Sequence, residues 1–205
     1  MAYFRKFFGH LKTIMIHKYW VFYYMLKMGY PIRGFFHDFS KLSPVEFFEG
    51  VKYWNGKRSP ILEAKEKQGL SYAWFHHRGR NKHHYEYWID GLDGGGDPKV
   101  IPFKYVIEMV CDWLAAATTY DGVSPGKVFE SEYEWWKRKS ETAKIHPITK
   151  LMISMILWNF REYYIKYVKD CGMNEKCAEK KTLNTVRNFV QGWKSEYTND
   201  LSELM

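Results

Sequence analysis

Apolar residues recur at helical spacing along most of the chain, and no segment keeps the strict alternation of a half-buried strand. From about residue 3 to residue 28 the spacing predicts one long helix, stopped by Gly29 with Pro31 just beyond. The segment from Gly34 to Lys41 is short and apolar before its charged end. Ser43-Pro44-Val45-Glu46 has the form of a helix start, with Ser43 as N-cap, Pro44 at the first helical position and Glu46 closing a capping box. That helix should run to about Trp54 and end near Asn55-Gly56. Ser59-Pro60 opens another, broken near Gly69, and Ser71 begins a histidine-rich segment reaching Trp88. Residues 90–99, with consecutive glycines at 94, 95 and 96, form the clearest loop. Beyond Pro102 a strong helix is expected from about Phe103 to Tyr120, ending near Asp121-Gly122, and two or three more fill 128–203. No repeat is evident. The pattern predicts a single all-α domain over residues 1–205, with 125–205 as its C-terminal half.

Length and composition agree with one domain. The 205 residues suffice for one substantial core and are short for two. An apolar fraction of 46% with 19% aromatics excludes a disordered chain. The apolar stretch from Thr13 to Met28 is interrupted by His17, Lys18 and Lys27 and falls short of the about 20 apolar residues a span needs, so it reads as an amphipathic core helix, and no membrane partner is expected. Cys111, Cys171 and Cys177 are odd in number, form no CxxC pair and follow no secretory signal, which predicts reduced thiols in the cytoplasm.

The net charge of +8 suits an anionic partner, a phosphate ester or a nucleic acid, but on charge alone a lysine-rich solvated surface is the preferred reading. The basic residues are scattered except for Arg78, Arg80 and Lys82, which interleave with histidines.

The candidate chemistry centres on His37-Asp38. An adjacent imidazole and carboxylate offer a nitrogen and an oxygen donor to one divalent cation, although for the dipeptide taken alone a surface His beside a helix-capping Asp is the default reading. Lys41 follows three positions later, where an ammonium could face a bound phosphate. His17 lies among Ile16, Tyr19, Trp20 and Val21, a setting more typical of a buried, satisfied His than of a ligand. Asp112 sits in an apolar helix and needs a partner there, either a metal or a basic side chain. Four histidines fall between positions 76 and 84. On a continuous helix His77 and His84 share nearly one face with Asn81 between them, and His76 and His83 form a second pair about 100° round. Only one pair can then point inward, and Gly79 is placed to break the helix. Trp74 and Trp88 argue that this segment is packed and is not merely a basic surface strip.

Other arrangements fare worse: there is no GxxxxGK[ST] loop, no GxSxG elbow and no His-Glu-x-x-His. Cys111 is expected to pack in the core beside Asp112, His10 to support the helix face of His17 without ligating, and His146 before Pro147 to begin a helix.

The order lone His, His-Asp, further His, then a late lone Asp resembles the HD-domain superfamily of metal-dependent hydrolases. His37-Asp-Phe-Ser-Lys41 is similar to its His-Asp-x-Gly/Ser-Lys signature. Longer phrases, His17-Lys-Tyr-Trp-Val, His76-His-Arg-Gly-Arg-Asn-Lys-His-His-Tyr-Glu-Tyr-Trp and Glu108-Met-Val-Cys-Asp-Trp, resemble an uncharacterised bacterial and phage branch of it. The resemblance covers about residues 10–122. It implies an HD-type helical bundle in which His17, His37, Asp38 and Asp112 form the basic ligand set. His77 and His84 would add a second metal, with His76 and His83 as alternates. One or two divalent ions are implied, with Mn, Fe, Mg, Co and Zn not distinguished.

The expected activity is hydrolysis of a phosphate mono- or diester, nucleotide-like, with Asp38 and Lys41 in catalytic positions and Lys41, Arg78, Arg80, Asn81 and Lys82 binding phosphate. Loop 90–99 is a candidate lid. Two alternatives stand beside this: a di-iron oxygenase on the same ligands, and a non-catalytic, metal-stabilised module that binds a nucleotide or a protein.

Overall fold

A computed structural model describes residues 2–91, 95–122 and 124–203. Among them the chain is all-helical. The α-helices are α1 (Ala2–Met28), α2 (Pro31–Phe36), α3 (Pro44–Tyr53), α4 (Pro60–Gln68), α5 (Tyr72–Arg80), α6 (Phe103–Asp121), α7 (Pro125–Thr142), α8 (Pro147–Ile165) and α9 (Glu175–Glu203). Short 3₁₀ turns at Phe39–Leu42 and Tyr85–Trp88 join α2 to α3 and follow α5. No helix among the described residues is long and apolar enough to cross a membrane.

Most boundaries follow from local chemistry. Proline occupies the first helical position of α2, α3, α4, α7 and α8, where its missing N–H costs nothing. Gly29, at φ +90°, ends α1, and Gly69, at φ +78°, closes α4 by donating its N–H to the Lys65 carbonyl. His146 starts α8 as expected, its Nδ1 accepting from the Ile148 N–H at 3.2 Å.

One expectation needs correction. Ser43 is the N-cap of α3, but its side chain makes no capping bond, and Glu46 does not close the box because its carboxylate is turned toward His76 and His77. The histidine-rich segment breaks close to Gly79, α5 ending at Arg80. The middle of loop 90–99, residues 92–94, lies outside the described residues, and with it the expected lid.

Two hydrophobic clusters hold the molecule. The larger joins Val21, Tyr24, Met25 and Met28 of α1 to α6, α7, α8 and α9, around a stacked Phe129–Phe160 pair with ring centroids 4.8 Å apart. The smaller joins Ile14 of α1 to Phe47 and Val51 of α3. His17 sits on α1 between the two, so polar side chains from α2, α5 and α6 meet where neither apolar cluster continues.

Gly34 sets the approach of α2 to α1. A Cβ there would lie 2.5 Å from the Met25 Cβ, so any larger residue would push α2, and the His37-Asp38 step that follows it, off the long helix.

Candidate metal centre

The centre is built around Asp38. It is the one non-glycine residue with positive φ among the described residues, at φ 53° and ψ 33°. Aspartate tolerates this left-handed conformation better than most residues, at a cost of order 1 kcal/mol. The sharp step between α2 and the following 3₁₀ turn lets the side chains of His37 and Asp38 both point inward, and both are buried.

The two carboxylate oxygens of Asp38 face two groups of donors. On one side Oδ2 lies 3.1 Å from His37 Nε2 and 4.0 Å from His17 Nε2, while Asp112 Oδ1 is 2.9 Å from His17 Nε2 and 3.3 Å from His37 Nε2. On the other side Oδ1 lies 3.4 Å from His77 Nε2 and 3.3 Å from His83 Nε2, with the His84 ring 4.3 Å from that of His83. His17, His37, Asp38 and Asp112 could therefore hold one metal ion, and Asp38, His77, His83 and His84 a second.

The satisfaction of these atoms supports that reading. His17 Nε2, His37 Nε2, Asp38 Oδ1, His83 Nε2 and His84 Nε2 are buried and have no hydrogen-bond partner among the described residues, while Asp38 Oδ2 meets the Lys41 ammonium at 2.5 Å. Buried polar atoms are nearly always paired. Five such atoms gathered on either side of one carboxylate are what a site shaped for cations leaves when protein atoms alone are considered.

The outer nitrogens are held. Glu108 faces both His37 Nδ1, at 3.1 Å, and His83 Nδ1, at 3.4 Å, and its other oxygen accepts from Arg33 at 2.9 Å. Glu46 does the same for His77 Nδ1 at 2.7 Å and also meets His76 Nδ1 at 2.7 Å. Such carboxylate–imidazole pairs fix the tautomer and direct Nε2 inward. Burial opposes charge on Glu108, yet hydrogen bonds from His37 and His83 bring its pKa down to about 2. Burial likewise resists charge on Asp38 and Asp112, but the neighbouring imidazoles, with Lys41 at Asp38, hold both well below the usual carboxylate range. Burial, aided by the charge of Lys41, lowers His17 to about 4, and burial with the neighbouring imidazoles holds His84 well below its ordinary value. His37 goes the other way: burial opposes its charge, but Asp38, Asp112 and Glu108 outweigh that and hold it well above the ordinary imidazole value, so a cation bound there displaces a proton.

Replacing Glu108 with Gln turns one of its two oxygens into an NH₂ group that must face either the two imidazoles or Arg33, and should weaken metal affinity by about 10–100-fold. Titration of the metal-free protein with Mn²⁺ or Co²⁺ measures this directly.

The structure brings His17, His37, Asp38, His77, His84 and Asp112 together, and adds His83. Asn81 explains the difference in the histidine-rich segment. Its side-chain amide donates to the His77 carbonyl at 2.9 Å and to Ser40 Oγ at 2.8 Å, taking up the end of α5. The chain then turns, and His83 and His84 both reach inward. His76 points away to Glu46.

Two cavities meet the centre from different sides. The first, about 540 Å³, touches His17, His77, His84, Asp112 and Lys41, with Trp74, Trp113, Trp135 and Tyr120 among its walls and Lys57 and Arg58 also lining it. The second, about 680 Å³, touches Asp38, His83 and Glu108, and is lined by Arg33, Arg80, Asn81, Lys82 and Lys104. Arg78 lies over the Phe75 ring and lines neither. The structure therefore does not gather Arg78, Arg80, Asn81 and Lys82 with Lys41 around one ligand. His10 lines the first cavity and packs tightly on α3, where a Cβ on Gly50 would lie 2.1 Å from its Nε2. Cys111 is buried, as expected.

Glu108 and Glu46 escaped the sequence reading. Glu108 stands four residues before Asp112, one helical turn away on the same face, and that spacing is a usable signal. Glu46 offered none beyond its capping-box position.

A model of a protein family of unknown function, DUF5662, matches residues 6–159. Neither the curated proteins nor the solved structures contain a match.

Proposed function

The chain belongs to DUF5662, a family of unknown function, and from its site we propose that it is a metal-dependent phosphohydrolase of the HD-domain kind, acting on a nucleotide-like phosphate ester. The observation that carries this reading is the placement of Asp38 between two groups of unpartnered buried donors, beside a cavity of substrate size. His17, His37, Asp38 and Asp112 would hold one divalent ion, and Asp38, His77, His83 and His84 the other. Such ions lower the pKa of bound water toward neutrality and neutralise charge on phosphoryl oxygens.

The chain's own residues do the rest. Lys41, in contact with the Asp38 carboxylate and lining the first cavity, is placed to bind a phosphate oxygen. Burial disfavours its charge, but Asp38 and Asp112 outweigh that and hold it protonated. The indole rings of Trp74, Trp113 and Trp135 form apolar walls on which a base can stack and from which water is displaced. Lys57, exposed at the same cavity, offers a second cation in place of Arg78, Arg80 and Lys82. The three free cysteines suit the reducing cytosol.

A second reading, oxidation by a di-iron centre, draws support from the donor set itself. Five imidazoles make the centre nitrogen-rich, which suits iron better than magnesium.

Turnover decides between them. The protein, loaded in turn with Mn²⁺, Co²⁺, Mg²⁺ and Zn²⁺, should hydrolyse aryl phosphates or a nucleotide panel, and the Asp38→Ala variant should not. Equal rates in both proteins would refute the assignment. A mixed-valent iron signal after anaerobic purification, without phosphatase activity, would favour oxidation.

A further inference from the structure

The outward face of α1 is apolar where a surface helix should be polar. Phe4, Phe8, Met15, Tyr19 and Leu26 are 44–68% exposed and share one face of the helix at 3.6-residue spacing. The face continues onto neighbouring elements. Phe35, Phe36 and Phe39 form an exposed ring cluster with centroids 5.2–6.1 Å apart, and Lys18 of α1 lies over the Phe39 ring at 4.1 Å. At the other end a chain of ring contacts runs from Phe8 through Phe7 and Phe47 to the exposed Phe48 of α3. Large side chains carry roughly 150–250 Å² each, so the patch exposes on the order of 1,000 Å², well beyond the few hundred usual for a monomer.

Charge identifies what this face meets. The six cationic residues from Arg5 to Arg33 precede the first acid of the chain, Asp38, which is buried at the metal centre. The next two acids also turn inward: Glu46 holds His76 and His77, and Glu49 accepts from Ser71 Oγ and the Tyr72 N–H. Exposed Arg5, Lys12 and Lys52 therefore border an aromatic surface with no exposed carboxylate on α1, α2 or α3 to offset them. Two copies meeting through this face would set like charges against each other. An anionic lipid surface complements both features at once, taking the aromatic rings at the headgroup boundary and the lysines among its phosphates.

We propose that this face, formed by α1, the α2–α3 connection and α3, docks the protein onto the surface of an anionic membrane without crossing it. The sequence pattern, searched for a span, pointed to no membrane partner. A peripheral contact leaves no such signal and is visible only once the exposed face of α1 is known.

The test is co-sedimentation of the full chain with large vesicles of phosphatidylcholine alone, or with about one-third phosphatidylglycerol. Binding should be at least about tenfold stronger to the anionic vesicles and should fall at high salt. The Phe8→Ser/Phe36→Ser and Arg5→Glu/Lys12→Glu variants should each lose about tenfold or more, with unchanged circular dichroism and melting. The proposal is overturned by no partition of the wild type into anionic vesicles, by equal partition into neutral ones, or by folded variants that bind as well. It is equally overturned if light scattering finds a dimer that both variants dissociate. The readout does not involve the metal centre, so it stands or falls apart from the hydrolase assignment.

Discussion

Exchange of Asp38 for Asn should strip both metal positions while leaving the fold standing. Asparagine has nearly the same size and is, with aspartate, the residue that best tolerates the left-handed backbone at this position. Its amide carries one acceptor oxygen and one NH₂ group, so it cannot present an oxygen to each donor group as the carboxylate does. Metal content by elemental analysis should drop from about two ions per chain to well below one, and any phosphohydrolase rate should fall by about a thousandfold or more. Asp112→Asn and His77→Ala each touch one group of donors only. Each should lose about one ion and retain the other. A double loss from position 38 against single losses from 112 and 77 is the pattern that a shared carboxylate requires.

Chelation should cost the protein much of its thermal stability. Without cations the centre holds five buried polar atoms with no hydrogen-bond partner, and ligation supplies the partners they lack. At a free metal concentration about a hundredfold above Kd, binding to the native state adds about 2.7 kcal/mol. For a chain of this length that moves Tm by roughly 5–10 °C. Differential scanning calorimetry of metal-loaded and chelator-treated protein should show the gap, and it should vanish in Asp38→Asn. If the two melting temperatures coincide in the wild type, no metal is bound at the centre.

Much of the fold was legible because it depends on local rules. The long periodic helices α1 and α6 lie within a residue or two of their expected ends, fixed by Gly29 and by Pro102 and Gly122. Proline and glycine punctuation placed α3 and α4 equally well, and of α8 the start at Pro147. The misreadings occur where a tertiary partner overrides a local signal. Glu46 follows the capping-box spacing, yet its carboxylate serves two histidines thirty residues away. The segment from Trp74 to Trp88 has helical spacing, but Asn81 ties the end of α5 to Ser40, which no spacing rule foresees.

The centre followed the same division. His37, Asp38 and Asp112 were readable from residue types that are costly to bury alone, and the resemblance supplied the order of the remaining ligands. Which histidines of the adjacent pairs turn inward depended on a loop after Arg80. It admits His83 and His84 together, while His76, on α5 itself, faces Glu46 outside the two donor groups. The grouping of the basic residues failed for a related reason. Arg80 and Lys82 flank the end of α5 and share the second cavity, whereas Arg78, within α5, lies over Phe75 and Lys41 lines the first.

Crystals grown with Mn²⁺ and measured at an anomalous wavelength test the central claim most directly. Two peaks should flank the Asp38 carboxylate, one among His17, His37 and Asp112 and the other among His77, His83 and His84. Anomalous density that is missing from the surroundings of Asp38, or confined to surface histidines such as His146, would contradict it.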